Sequence, residues 1–176
     1  VPKLARLFSS REFLEDELKR FEPDMVAFSV IYDHFHWARE TAEFVKERYP
    51  VPVVVGGAHP TSVPERVLEH HCFDYAIVGE GEEAFAELAD ALKNKRPVGK
   101  IRNLAYREKG EVRVNPLRPL IEDLDSLPFP DKELAPIWKY QLHGRYSTIE
   151  GRGCPHRCSY CIHSFLREKY KGLGKY

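Results

Sequence analysis

Nothing in this chain is long and apolar, and neither sign of charge prevails. The longest apolar stretches, such as MVAFSVIY and VPVVVGGA, fall far short of the roughly 20 residues a membrane-spanning helix needs. No charged-then-apolar leader opens the chain, so a cytoplasmic location is expected. Lysine plus arginine equals aspartate plus glutamate at 27 each, which leaves no net field to draw in nucleic acid or an anionic surface. Cysteine is sparse, 4 in 176 residues, too few for a disulfide framework. Neither GxGxxG nor a GKS or GKT loop occurs, so nucleotide phosphate binding has no support. With 43% hydrophobic and 31% charged residues, the balance is that of a globular chain with one full core and a second small element.

Three of the four cysteines crowd into one run, GRGCPHRCSYC, from Gly151 to Cys161. Thiolate is the soft ligand that iron-sulfur clusters select. Cys154, Cys158 and Cys161 at CxxxCxxC spacing can hold three corners of a four-iron cluster and leave the fourth iron open to another molecule. A competing reading uses the same residues differently: Cys154, His156, Cys158, Cys161 and His163 could close a tetrahedral zinc site. A thioredoxin-like pair at Cys158 and Cys161 lacks its strand-then-helix context. Cys72, within HHCFDY, reads as a small buried thiol.

CxxxCxxC after a strand-like segment, with the aromatic Tyr160 just before the last cysteine, resembles the radical SAM signature. The resemblance implies a 4Fe-4S cluster whose open iron binds S-adenosylmethionine. One electron, from a donor such as flavodoxin or ferredoxin, then gives a 5'-deoxyadenosyl radical. Gly151 and Gly153 suit a backbone passing close to a cluster, and Pro155 stiffens the loop between its ligands.

Ahead of the cysteines, apolar runs alternate with helical patterns as a parallel α/β sheet requires. Strands are expected at Val1–Phe8, Met25–Ile31, Val51–Val55 and Tyr75–Val78. Between them, Phe13, Leu14, Leu18 and Phe21 mark one helical face, Ala38, Ala42, Val45 and Tyr49 the next, and Phe85, Leu88 and Leu92 the last. Ser62 and Glu65 read as a capping box with Pro64 in the first turn of a helix through Leu68. NLAYREKGEVRVNP reads as a hairpin turning near Gly110, extending or covering the sheet edge.

Ligands of such a sheet sit outside the carboxyl ends of the strands, where three loops are expected: Ser29–His36, Gly56–Thr61 and Gly79–Glu82. Paired glycines let backbone approach a flat ligand, and hydroxyl or imidazole groups can bond to its edge amides. Glycine after a parallel strand is also plain turn chemistry. VAFSV, VVVGGAHPT and YAIVGEGEEAF, in this order before the three-cysteine motif, resemble the cobalamin-binding domain that precedes the radical SAM barrel in one large subgroup. That likeness implies that Ser29, Gly56, Gly57, His59, Thr61, Gly79, Glu80 and Gly81 line a corrinoid site, and that Tyr160 and the cysteines belong to the cluster and S-adenosylmethionine site. The DxHxxG motif of the wider cobalamin-binding family is absent, and His34 and His36 lie in another loop. The likeness therefore implies cobalamin without an axial histidine from that motif.

The expected organisation is a Rossmann-like cobalamin-binding domain over residues 1–119, which starts one βα unit late, and a connector over 120–145. The start of a radical SAM barrel follows over 146–176, its first strand at Ser147–Ile149 delivering the cysteine loop. Leu120–Pro136 reads as an extended connector, and Arg167–Lys175 as a solvated basic end. A piece of a longer enzyme is expected, inactive alone. By resemblance its reaction is methylation of an unactivated carbon in a small-molecule substrate. Glu150, Glu80 and Glu82 are candidate acids or bases, though acids beside a helix start more commonly complement its dipole. A methylthiotransferase should carry more cysteines in its amino-terminal domain than Cys72 alone. A corrinoid carrier or a zinc-stabilised module would perform no chemistry.

Overall fold

The computed structural model describes residues 10–131 and 151–174. The strands expected at Val1–Phe8 and Ser147–Ile149, the end of the connector and Glu150 lie outside the described residues. The chain divides into two compact units between Arg118 and Pro119.

In the first unit, α1 (Ser10–Phe21) leads to β1 (Val26–Ser29), and a 3-10 turn (Tyr32–His34) runs into α2 (Phe35–Arg48). Then come β2 (Val53–Gly56), two short helices α3 (Ala58–Ser62) and α4 (Pro64–Leu68), and β3 (Tyr75–Ile77). The unit continues through α5 (Glu82–Lys93) to the hairpin strands β4 (Leu104–Glu108) and β5 (Glu111–Val114). The five strands form one sheet in chain order. β1, β2 and β3 are parallel, with Ser29 opposite Gly56 and Val54 opposite Tyr75. Beyond β3 the expected hairpin extends the sheet edge: β4 pairs antiparallel with β5, and it also runs antiparallel to β3. The cause is local: Asn94–Arg102 carry the chain back to the carboxyl edge, so β4 starts where β3 ends, with Leu104 opposite Ile77. Lys109 and Gly110, at φ 52° and 85°, then form the tight two-residue reversal that the sequence pattern predicts.

Alternation along β2 sorts the core onto two faces. Val53 and Val55 pack with Ala38, Ala42 and Val45 of α2, Val67 and Leu68 of α4, and Phe73. Val54 points the other way, into Ile77, Leu104 and the α5 stripe Ala84, Leu88 and Ala91. Each fully buried valine or leucine contributes about 1.5–3 kcal/mol, so this doubly covered sheet is the main source of the unit's stability. The stripes are narrower than the sequence patterns suggest. In α1, Leu14 and Leu18 face the core while Phe13 and Phe21 stand 70% and 76% exposed. In α5, Phe85 lies off the stripe and small Ala84 and Ala91 take its place, letting the helix approach the sheet.

The expected capping box does not form. Val63 occupies the cap position of α4, and the Ser62 hydroxyl donates back to the Ala58 carbonyl at 2.9 Å. Ser62 is already the last residue of α3, and a helical serine satisfies its hydroxyl on the preceding turn. Pro64 does open α4, as predicted.

In the second unit, the described part of the connector contains a 3-10 turn (Leu124–Ser126), capped by the Asp123 carboxylate, which accepts from the Asp125 N–H at 3.0 Å. The Leu120 N–H donates to the Leu173 carbonyl at 2.9 Å. α6 (Ile162–Lys169) follows the cysteine loop directly, and Tyr170 is buried behind it. Among the described residues no helix is long and apolar enough to cross a membrane.

Candidate functional site

The parallel strands β1, β2 and β3 all end at one edge of the sheet, and the loops after β1 and β2 are tied to one another by backbone bonds. The Val30 N–H donates to the Gly56 carbonyl at 2.8 Å, and the His59 N–H donates to the Val30 carbonyl at 3.1 Å. This crossing explains Gly57. A β-carbon there would lie 2.7 Å from the Val30 carbonyl oxygen and 2.8 Å from its nitrogen, and the backbone sits at φ 103°. Chain meets chain at this point, so Gly57 is required whether or not a ligand binds. Gly56 is less constrained: its added carbon would meet Ile77 at an ordinary 3.6 Å.

His59 and Thr61 lie on a helical turn rather than in an open loop, since α3 starts straight after Gly57. Thr61 is buried, and its Oγ1 accepts a hydrogen bond from the Gly79 N–H at 2.9 Å. The structure therefore joins two of the predicted site loops through Thr61. His59 sits edge-on to Tyr32 at 5.5 Å and tilted against Phe35 at 4.6 Å between ring centroids. Burial lowers its pKa from the ordinary histidine value, which favours the neutral imidazole. Ser29 is exposed at the end of β1, beside Gly56. Glu82 opens α5, so its predicted loop ends one residue earlier.

The third loop is held by a residue that sequence reasoning missed. Asn103 is fully buried at φ 63°, and its side-chain amide donates to the Glu80 carbonyl at 3.0 Å. The only hint in the sequence is that asparagine tolerates the left-handed conformation and bonds to nearby backbone. In the same hairpin Arg107 donates to the Leu68 and Phe73 carbonyls, locking β4 to the segment that precedes β3.

The cysteines of the second unit lie on one short loop, each partly exposed. Gly153, at φ 87°, turns the chain into Cys154. Cys161 caps α6 with extended backbone, its N–H donating to the Cys158 carbonyl at 3.1 Å, and the same carbonyl accepts from Ser164 Oγ at 2.8 Å. Arg167 does not extend into solvent as a basic tail would: its guanidinium donates to the Cys154 carbonyl and, at 3.4 Å, to the His156 carbonyl. Tyr160 is 91% exposed. Among the described residues no three histidine, cysteine, aspartate or glutamate side chains converge closely enough to hold a metal ion, so the three sulfurs share a loop without meeting at one point. Cys72 stands apart, buried in the first unit with its thiol pKa pushed up to about 11 by that burial.

Comparison with known proteins bears on the domain that carries the first of these two regions. Residues 4–89 match the model of the B12 binding domain. The chain is 40% identical over 154 residues to an uncharacterized methyltransferase of Pyrococcus horikoshii, covering 84% of this chain and 33% of that one. It is 34% identical over 149 residues to the cobalamin-dependent radical SAM methyltransferase TokK of Streptomyces tokunonensis, covering 80% and 22%. It is 33% identical over 123 residues to the anaerobic magnesium-protoporphyrin IX monomethyl ester cyclase of Synechocystis, covering 67% and 24%. The chain thus spans a third or less of the length of these relatives. Among solved structures, the radical S-adenosylmethionine methyltransferase TsrM from Kitasatospora setae shares the fold, with a TM-score of 0.58 at 21% identity, covering 63% of this chain and 22% of that one. The fold is the Rossmann-like α/β arrangement of a cobalamin-binding domain, and through residues 4–89 the chain belongs to the B12-binding family.

Proposed function

We propose that this chain holds a corrinoid at the carboxyl edge of β1, β2 and β3 and a 4Fe-4S cluster on Cys154, Cys158 and Cys161, as part of a radical SAM enzyme that methylates an unactivated carbon of a small molecule. The observation that carries the corrinoid half is the bond between Thr61 and the Gly79 N–H. With the Val30 and His59 backbone bonds, it fixes three loops into one rim before any ligand arrives. Exposed Ser29 and Gly57 present a hydroxyl and bare backbone on that rim, which suits a broad flat ring fringed with amides. Gly79, Glu80 and Gly81 continue the rim, and the neutral His59 imidazole can donate or accept there.

The cluster half is supported by the donor set: three soft thiolate ligands on one loop whose peptides are pinned by Ser164 and Arg167, a supply of ligands that leaves one iron open. When bound, the two groups and S-adenosylmethionine supply an electron for sulfonium cleavage and a methyl group for transfer. The protein's own part is to hold the rim and the cysteine loop in place. The Arg167 guanidinium adds positive charge beside ligands that are anionic when deprotonated. Reduction calls for an electron donor such as flavodoxin or ferredoxin, in a reducing compartment such as the cytoplasm. Ring closure is the second reading, favoured by the 33% identity to the cyclase; methyl transfer is preferred on the 40% identity to a methyltransferase.

The electron paramagnetic resonance spectrum of anaerobically reconstituted, reduced protein tests the reading, recorded before and after adding S-adenosylmethionine. A four-iron signal that changes on addition is the expected result. A signal indifferent to the addition would remove the open iron from the proposal, and bound zinc with no cluster signal would replace it with a zinc module.

A further inference from the structure

We infer that Asn103, outside the matched B12-binding segment, is the positioning residue that sets the Gly79–Gly81 loop for ligand; the inference rests on the corrinoid reading above. Three successive residues, Val78 at the entry to that loop and Gly79 and Glu80 within it, are held from outside it. The Val78 N–H donates to the Asn103 main-chain carbonyl at 2.8 Å, the Gly79 N–H to Thr61 Oγ1 at 2.9 Å, and the Glu80 carbonyl accepts from Asn103 Nδ2 at 3.0 Å. Two of these three come from one residue.

The other end of the same amide is also engaged: Asn103 Oδ1 accepts from the Arg118 N–H. Arg118 in turn donates to the Glu83 carboxylate at 2.7 Å, to that of Glu87 and to the Arg102 carbonyl at 2.9 Å. Asn103 therefore links the loop to a clamp across the first turns of α5, the helix that the loop opens. If left-handed backbone were its only purpose, glycine would serve. The side chain adds a donor aimed at Glu80 and an acceptor aimed at Arg118. Both are buried where water does not compete, so losing either leaves a backbone group without its partner. The loop's shape is thus set by the β4 hairpin, an addition beyond the matched domain, together with Thr61 inside it.

Two substitutions separate this role from folding. Asn103→Gly keeps the left-handed backbone and removes both side-chain bonds. Asn103→Asp keeps the acceptor for Arg118 and turns an oxygen towards the Glu80 carbonyl. Arg107→Ala is the control, since it removes two carbonyl contacts of the same hairpin at Leu68 and Phe73. Hydroxocobalamin is titrated into each 176-residue variant by equilibrium dialysis, alongside a thermal melt. Both Asn103 variants are expected to raise the dissociation constant roughly ten-fold or more, the scale of one buried hydrogen bond. Arg107→Ala is expected to lower the melting temperature at least as far while holding affinity within about two-fold. Unchanged affinity in the Asn103 variants, or affinity falling in step with melting temperature across all three, would overturn the positioning role. A wild-type chain that takes up no hydroxocobalamin would instead overturn the corrinoid reading, and this inference with it.

Discussion

Adjacent glycines at 56 and 57 have unequal jobs. Gly57 has no room for a β-carbon, because the Val30 backbone lies within 2.8 Å of where it would sit, and its φ of 103° suits glycine alone. Gly57→Ala should lower unfolding stability by on the order of 3 kcal/mol, combining a backbone clash with a strained conformation. Gly56→Ala, at 3.6 Å from Ile77, should change it by well under about 1 kcal/mol. Urea unfolding of the two variants checks the contrast, and equal losses would refute it. In the sequence, GGAHPT marks a loop after a strand but not this division of labour, since a glycine required by a crossing chain looks the same as one facing a ligand. Thr61 stood in the sequence as a site candidate, whereas the bond its Oγ1 accepts from Gly79 was not legible there. Asn103 left still less trace, since what matters is its contact with Glu80, far away along the chain.

Among the elements, β-branched runs and helical spacing located β1, β2, β3 and their helices because burial of those residues on a doubly covered sheet is what forms them. The direction of β4 against β3 was hidden, because it depends on how far Asn94–Arg102 carry the chain before β4 begins. The short helix α3 was hidden too, its GGAHPT segment reading as turn chemistry although it folds back on Val30 through the His59 N–H. His59 connects α3 to α2 through its ring contact with Phe35, and this gives the pair a pH dependence. Burial depresses the folded pKa, so the unfolded chain binds the proton more readily. The contribution is complete above the ordinary histidine value near 6.5 and is lost as pH falls through the lowered folded value. Thermal melts of wild type and His59→Gln at pH 7.5 and pH 5.5 should therefore show the wild type losing more on acidification. Parallel losses in the two proteins would remove His59 as the cause.

At the scale of the molecule, each of the two units has its own candidate ligand set, cysteines in one and strand-end loops in the other. The cysteine set was the more legible, because ligand type and spacing are properties of sequence, while the rim exists only once three distant loops have met. The distinction predicts separable losses. Replacing Cys154, Cys158 or Cys161 by alanine takes away one of three thiolates, and two cannot retain a four-iron cluster, so reconstituted iron should fall from about four per chain to near zero in each variant. Cys72→Ala should leave iron unchanged, since that thiol is buried with its pKa near 11 and stays protonated, unfit to ligate. Hydroxocobalamin affinity should hold in all three loop variants, because Thr61, Gly79 and Asn103 belong to the other unit. Iron and hydroxocobalamin measured on the same four preparations read both claims at once: iron loss in Cys72→Ala would refute the three-ligand assignment. Corrinoid loss in the loop variants would show that the two sets do not act separately.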